Sequence, residues 1–311
     1  MVSVVIPCFN AERWIGEAIQ SCLTQSYQQI EVIVIDDGST DRSLEIINSF
    51  GSKIRFETGP NRGGNAARNR GFALSKGGYI QFLDADDYLL PEKIERQLSN
   101  LESTGADVAY GDWRRLSHQP DGRSEFEDVV VSGDQADVLE ALLGGWWVAP
   151  VAVLLRRNAV LTIGGWDESL KAAQDTDLMI NLALAKCRFV YQPGCHSIYR
   201  KYGRVTVSTS STPRWLQCHC KVLDKALDAL TRTSRLTPEY RHALARSYFQ
   251  LARGCFAFDR EHYDQVMARV LQLEPKFQPL EAPLFNVIQR LIGFKGAERV
   301  AGWKRKLFGK S

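Results

Sequence analysis

Three carboxylates fall within four positions at Asp84, Asp86 and Asp87. They follow an apolar run, Tyr79, Ile80, Phe82 and Leu83, that reads as a buried strand, and Pro91 then marks a helix start. Like charges this close repel, and taking them out of water is costly. A divalent cation or a donor-rich ligand would offset that cost. A second acidic pair, Asp36 and Asp37, ends the apolar run 30–36. Gly38 follows and lets the backbone turn closely past a ligand. A third pair, Asp175 and Asp177, opens the amphipathic stretch 174–186, where the helix dipole favours acids. Arg68 lies beyond Gly63 and Gly64, able to pair with a phosphate or to hold Asp84 or Asp36.

The elements that must position these groups follow from periodicity. Strands are predicted at 2–7, 30–36, 53–57 and 79–84, and helices at 11–25, 39–50 and 65–76. This alternation argues for a parallel α/β sheet with helices on both faces. Ligands of such sheets sit at the carboxyl ends of the strands. Residues 7–10, Asp36 with Asp37, and Asp84 with Asp86 should therefore share one rim. From 106 to 211 the pattern is mixed: strands at 107–116 and 150–157, helices at 135–145 and 174–186, and a tight turn at 164–170. Beyond 213 only helical patterns remain, with a boundary near the Ser/Thr-rich run 207–213.

Composition sets outer bounds. The 311 residues suffice for one large domain or two smaller ones. A net charge of +3 does not mark a nucleic-acid binder. The charge is uneven: residues 212–311 carry 18 Lys and Arg against 9 Asp and Glu, and residues 1–211 carry 21 against 27. Seven cysteines without CxxC spacing read as reduced thiols of a cytosolic protein. Cys218 and Cys220 would point to different sides of a helix, so they and His219 do not read as a metal site. No secretory signal pattern opens the chain, and no apolar run approaches the ~18 residues of a membrane span.

Four segments occur in order: "VSVVIPCFNAERWIGEAIQSCLTQSYQQIEVIVIDDGSTDRS", "NRGGNAARNRG", "FLDADDYL" and "GGWDESLKAAQDTDLMINLAL". Over roughly residues 1–205 they resemble the family-2 glycosyltransferases, inverting enzymes of the GT-A fold that use nucleotide-diphosphate sugars. The resemblance implies a Rossmann-like mixed sheet flanked by helices over 1–210. Residues 211–311 would then form an all-helical C-terminal region making acceptor, membrane-surface or oligomer contacts.

It also implies roles. Pro7, Phe9, Asn10 and Glu12 fall where the family contacts base and ribose, and Asn10 can also cap a following helix. Asp36 and Asp37 would accept from uracil and ribose, while Ser39 and Asp41 also suit a helix start. Arg68 would meet a phosphate or buttress an acidic residue. Asp84, Ala85 and Asp86 form the D-x-D. Asp86 would hold Mg2+ or Mn2+, with Asp84 at the ion, its waters or the ribose, and Asp87 would support the loop. Asp175 would be the general base that deprotonates the acceptor hydroxyl. Gln174 stands where Glu is common, and Asp177 would brace the helix. Arg200, Lys201 and Arg204 would clamp the diphosphate. Tyr202 stands about where a histidine is frequent, and His196 reads as an ordinary core or rim residue.

The reading that results is an inverting transferase, moving a sugar from a UDP-linked or other nucleotide-diphosphate donor to a glycan or lipid-linked acceptor. Bacterial surface polysaccharide synthesis at the cytoplasmic face of the membrane is the implied setting. The basic stretch 302–310 and the residues before it fit either an anionic membrane surface or a packed terminal helix. Phe285, Leu291, Trp303, Leu307 and Phe308 would insert or pack. The alternative from another class is a catalytically silent nucleotide-sugar-binding or scaffolding protein. Its mark would be loss of Asp86 or Asp175, and both are present. A nucleotidyltransferase would want a Gly-rich loop after strand one, and "PCFNAERW" has none.

Overall fold

The computed structural model describes residues 1–119, 121–202, 211–279 and 283–308. It divides into two compact units, Met1–Leu142 with Trp146–Cys218, and Leu143–Gly145 with His219–Ser311.

The first unit opens with β1 (Val2–Cys8), α1 (Ile15–Leu23), β2 (Ile30–Asp36), α2 (Ser43–Ser49), β3 (Arg55–Thr58), α3 (Gly64–Leu74) and β4 (Tyr79–Phe82). Then come β5 (Tyr88–Leu89), α4 (Lys93–Thr104), β6 (Val108–His118), β7 (Ser124–Val130) and α5 (Val138–Leu143). It closes with β8 (Val153–Arg156), α6 (Arg157–Ile163), α7 (Gln174–Leu184) and β9 (Phe189–Tyr202). All nine strands share one sheet, in the order β3-β2-β1-β4-β8-β6-β9-β5, with β7 paired to β6.

The first four strands are mutually parallel, as the alternation predicts. The sheet as a whole is mixed: β8 runs antiparallel to both β4 and β6, and β5 runs antiparallel to β9. The run of adjacent parallel strands therefore stops at β4, and parallel pairing resumes between β6 and β9. The run is bounded by chain that turns back through the 3-10 turn Pro150–Ala152 rather than through a crossover helix. That turn also moves the start of the strand predicted at 150–157 to Val153. Pro150 has no N–H to give to a ladder, which suits it to the turn.

Packing fixes where α3 can lie. A Cβ on Gly71 would stand 2.4 Å from Val5 Cγ1. Only a residue without a side chain lets this helix approach β1 so closely. The sheet core is apolar, with Val4, Val5, Ile6, Ile33 and Val34 wholly buried. Two helices start later than their patterns suggest, at Ile15 and Ser43, because residues 10–12 and 39–43 are engaged with each other. Residues 196–202, which include two of the expected diphosphate-clamp residues, are the end of β9, paired with β6 and, at Ser197 and Ile198, with β5.

The second unit is helical: most of α8 (Thr212–Arg232), then α9 (Pro238–Cys255), α10 (Arg260–Leu273) and α11 (Pro283–Phe308). Thr237 caps α9 and Asp259 caps α10, each accepting a backbone N–H. Phe249, Phe277, Phe285 and Phe294 gather in one aromatic cluster. α11 is kinked at Ile292 and Gly293. Phe285 thus packs, whereas Leu291 is 76% exposed and Trp303 73% exposed. The side chains of Leu307 and Phe308 lie outside the described residues, as does all of Arg204. No helix among the described residues is long and apolar enough to cross a membrane. All seven cysteines are described, and each is a free thiol.

Candidate active site

Because β1, β2 and β4 are parallel, their carboxyl ends reach one edge of the sheet. Side chains stitch the loops that leave it. Asn10 Oδ1 accepts from Thr40 N at 2.8 Å, and Asn10 N donates to Ser39 Oγ at 3.0 Å. Glu12 N donates to Asp41 Oδ2, and Glu12 Oε2 accepts from Arg42 N, both at 3.0 Å. Asn10 therefore ties one loop to the next and does not cap α1, whose first residue is Ile15. Its φ of 49° is the left-handed conformation that Asn tolerates better than most residues. Phe9 is 51% exposed and offers a free aromatic face at this rim.

The second acidic pair is turned inward. Asp36 accepts from Thr58 Oγ1 at 2.6 Å and from Ser39 N at 3.3 Å. Asp37 accepts from Arg62 N and Gly63 N, each at 2.8 Å. These bonds fix the Gly-rich loop that opens α3. They account for both carboxylates being buried without a cation.

The acid trio sits on the turn between β4 and β5. One carboxylate oxygen from each of Asp84, Asp86 and Asp87 lies within 4.8 Å of the other two. Two arginines hold the turn. Arg68 Nη2 donates to Asp84 Oδ1 at 2.5 Å, its side chain only 10% exposed, and its guanidinium lies 4.6 Å from the Trp166 ring. Arg200 is buried as well. Its backbone N–H donates to Asp87 Oδ1 at 2.8 Å, its Nη1 to the Asp86 carbonyl at 2.7 Å, and its Nη2 to Glu17 at 2.7 Å. Trp14 and Tyr88 flank its charge at 4.3 and 5.0 Å. Here Arg200 is committed beneath the loop, whereas Lys201, next along β9, is exposed. Tyr202 hydrogen-bonds Asp86 through its hydroxyl.

The charge of the trio is not fully answered. Burial and the Asp84 carboxylate push Asp86 up to about 6, and burial with both neighbours pushes Asp87 up as well. Three convergent carboxylates with unbalanced charge are a donor set of the kind that hard divalent cations take. Asp86 and the oxygen of Asp84 that Arg68 leaves free are the groups best placed for one.

Asp175 belongs to the same neighbourhood. Arg68, which holds Asp84 through Nη2, donates through Nη1 to Gln174 Oε1 at 3.4 Å. One guanidinium thus spans from the acid turn to the first residue of α7. Asp175 Oδ2 accepts from Trp147 Nε1, and the carboxylate borders an apolar pocket lined by Phe82, Val148, Trp166 and Met179. Asp177 turns away, buried, accepting from Asn181 Nδ2 at 3.0 Å. The charges of both acidic groups reach Tyr199, whose hydroxyl is pushed up by burial and then by Asp87, Asp84, Asp86 and Asp175. Trp147, Tyr199 and the Glu17–Arg200 contact carry no motif. Aromatics at 146–147 and 199 are the sequence signal available for them.

With this geometry in place, comparison with known proteins is direct. Residues 3–130 match the profile "Glycosyl transferase family 2". A Haemophilus influenzae protein described as an uncharacterized glycosyltransferase is 44% identical over 164 residues, 51% of this chain and 64% of that protein. The Streptococcus pneumoniae glycosyltransferase GlyG is 38% identical over 130 residues, 40% of this chain and 43% of that protein. The matched segment thus spans less than two thirds of these relatives. The structure of S. aureus TarS 1–349 in complex with UDP-GlcNAc aligns with a TM-score of 0.66 at 16% identity, covering 99% of this chain and 93% of that one. The mannosyltransferase PcManGT from Pyrobaculum calidifontis, in complex with GDP-Man and Mn2+, aligns with a TM-score of 0.53, also at 16% identity, covering 100% and 88%. At such identities the likeness is one of fold. The match to the family-2 profile thus covers residues 3–130, and the fold is of the GT-A type.

Asp86 gives a pH-dependent test of this electrostatic description. Unfolded, its carboxyl titrates near 3.8; folded, near 6. Between these values the folded chain keeps a proton that the unfolded chain has released, so stability falls as pH rises from about 4 to about 6 and is level above. Asp86→Asn removes that loss. Without metal it should be more stable than the wild type by about 1–3 kcal/mol at pH 7 and equal to it below pH ~4 in urea unfolding. No gain at pH 7 would contradict an unanswered charge at Asp86.

Proposed function

We propose that this chain is an inverting glycosyltransferase that moves a sugar from a nucleotide-diphosphate donor, UDP-linked by preference, to the hydroxyl of a glycan or lipid-linked acceptor. The observation that carries this reading is the bridge made by Arg68, from the acid turn at Asp84 to Gln174 beside Asp175. It holds the acid turn next to a carboxylate at the edge of the sheet, which supports a diphosphate-type site there. That two structures of the same fold hold UDP-GlcNAc and GDP-Man with Mn2+ supports a nucleotide-sugar donor.

The geometry supports a role for each residue. Phe9 offers its exposed face to the base, with Pro7, Asn10 and Glu12 shaping the stitched rim. Asp36 and Asp37 act mainly by holding the loops against the donor. Asp86, with Asp84, holds Mg2+ or Mn2+, with Ala85 between them. A bound divalent cation would neutralise charge on the departing diphosphate. Arg68 and Arg200 fix the acid turn, and Lys201, on the other side of β9, lies near Glu127 instead. Asp175 takes the proton of the acceptor hydroxyl as that oxygen bonds to the anomeric carbon. The sugar–phosphate bond opposite breaks, the nucleoside diphosphate leaves, and an α-linked donor gives a β-linked product.

We place the chain at the inner face of a bacterial membrane, in surface polysaccharide assembly. α11 has six Lys and Arg against one acid, Glu298, which is buried beside Arg253. Exposed Leu291 and Trp303 add apolar surface. Vesicles containing acidic lipid should sediment the chain at low salt and release it at high salt. Equal binding to neutral vesicles, or none to acidic ones, would remove this placement.

Calorimetric titration of UDP, GDP and dTDP, with and without Mn2+, tests the donor site. One nucleotide should bind in a metal-dependent way, and Asp86→Ala should weaken it by roughly 10-fold or more. If no nucleotide binds under either condition, the transferase reading fails and a silent scaffold remains.

A further inference from the structure

Trp147 stands on the segment after α5, and its indole Nε1–H donates to Asp175 Oδ2 at the start of α7. Its ring is held from two sides. It meets Trp113 at 5.1 Å and 85°, and Tyr199 at 5.9 Å and 84°, both edge-on. Trp113 and Tyr199 meet each other at 5.6 Å. Trp113 is 2% exposed, so the cluster is rooted in the core. Such edge-to-face contacts fix ring orientation as well as distance.

An indole N–H donates and cannot accept, so this bond has a single sense. The carboxyl torsion of an aspartate is otherwise broad. Pinning Oδ2 removes that freedom and gives Oδ1 a defined direction. We propose that Trp147 is a positioning residue for Asp175, holding one carboxylate oxygen so that the other faces the acceptor hydroxyl. This rests on the reading of Asp175 as the base. A base acts only within hydrogen-bond reach of its proton. Misplacement by about 1 Å costs on the order of 100-fold in rate. Loss of the indole N–H should therefore slow turnover and leave donor binding alone, because the hydrogen bond and ring contacts of Trp147 run to Asp175, Trp113 and Tyr199.

The test measures release of nucleoside diphosphate by the full chain with Mn2+, using UDP-GlcNAc, GDP-mannose and a dTDP-sugar, with water as acceptor. Four variants are compared with the wild type: Trp147→Phe, Trp147→His, Asp175→Asn and the Phe–Asn double substitution. Trp147→Phe should lower kcat about 10- to 100-fold and leave donor KM within about twofold. Trp147→His, which keeps a ring N–H, should recover part of the loss. In the Asp175→Asn background, Trp147→Phe should add nothing. The proposal is overturned if Trp147→Phe keeps its kcat, if KM rises in step with the loss, or if the two losses multiply. If Asp175→Asn keeps full activity, or the wild type turns over none of the donors, the base reading itself fails. A second readout needs no turnover. The Trp147 indole N–H resonance, assigned by its loss in Trp147→Phe, should move in Asp175→Asn; an unmoved resonance would remove the hydrogen bond on which the proposal stands.

Discussion

Arg68 Nη2 lies 2.5 Å from Asp84 Oδ1, and the same guanidinium reaches Gln174. Much of the site depends on this contact. It joins a helix that follows β3, a turn that follows β4, and a helix that begins almost ninety residues later. Three carboxylates within a few ångströms would drive that turn apart without cations nearby. Arg68 answers Asp84 from one side. Arg200 ties down Asp86 and Asp87 from the other, through its main chain and its side chain. Both arginines lie against tryptophan rings, a contact that suits the weakly hydrated, planar guanidinium and holds its charge in place.

These constraints descend from packing. α3 can bring Arg68 to the strand ends because Gly71 lets the helix touch β1. β9 can bring Arg200 beneath the acids because alternate residues on a strand share a face. Ile198, Arg200 and Tyr202 fall on one side, and Lys201 falls on the other, exposed. The rim is also braced before any ligand arrives, since the loops after β1 and β2 exchange hydrogen bonds through Asn10, Glu12, Ser39 and Asp41. Side chains held this way cost little further ordering when a ligand binds. The residue left exposed there, Phe9, has the shape suited to stacking on a flat ring.

The acid trio is legible in the sequence because carboxylates after an apolar run violate the ordinary pattern. The parallel half of the sheet is legible because its strands are short, β-branched and separated by amphipathic helices. Legibility fades where burial is not periodic. β7 is an edge strand with mostly exposed residues, and β5 has two residues, so neither leaves a pattern. Arg200 reads from sequence as a clamp on the diphosphate, and the register of β9 instead buries it beneath the acids. Asp36 and Asp37 read as ligand contacts, yet their hydrogen bonds run to Thr58, Ser39, Arg62 and Gly63. Local spacing shows that an acid follows a strand, not which loop folds over it. Trp147 and Asp175 are 28 positions apart, and no spacing rule connects them.

The central claim is that the acid turn held by Arg68 and Arg200 is where donor and metal meet. Crystals grown with UDP and Mn2+, measured at the manganese absorption edge, test it most directly. The expected result is one strong anomalous peak within coordination distance of Asp86, with diphosphate oxygens completing the shell and the base against Phe9. A nucleotide bound elsewhere, or a manganese peak that avoids Asp84 and Asp86, would contradict the account.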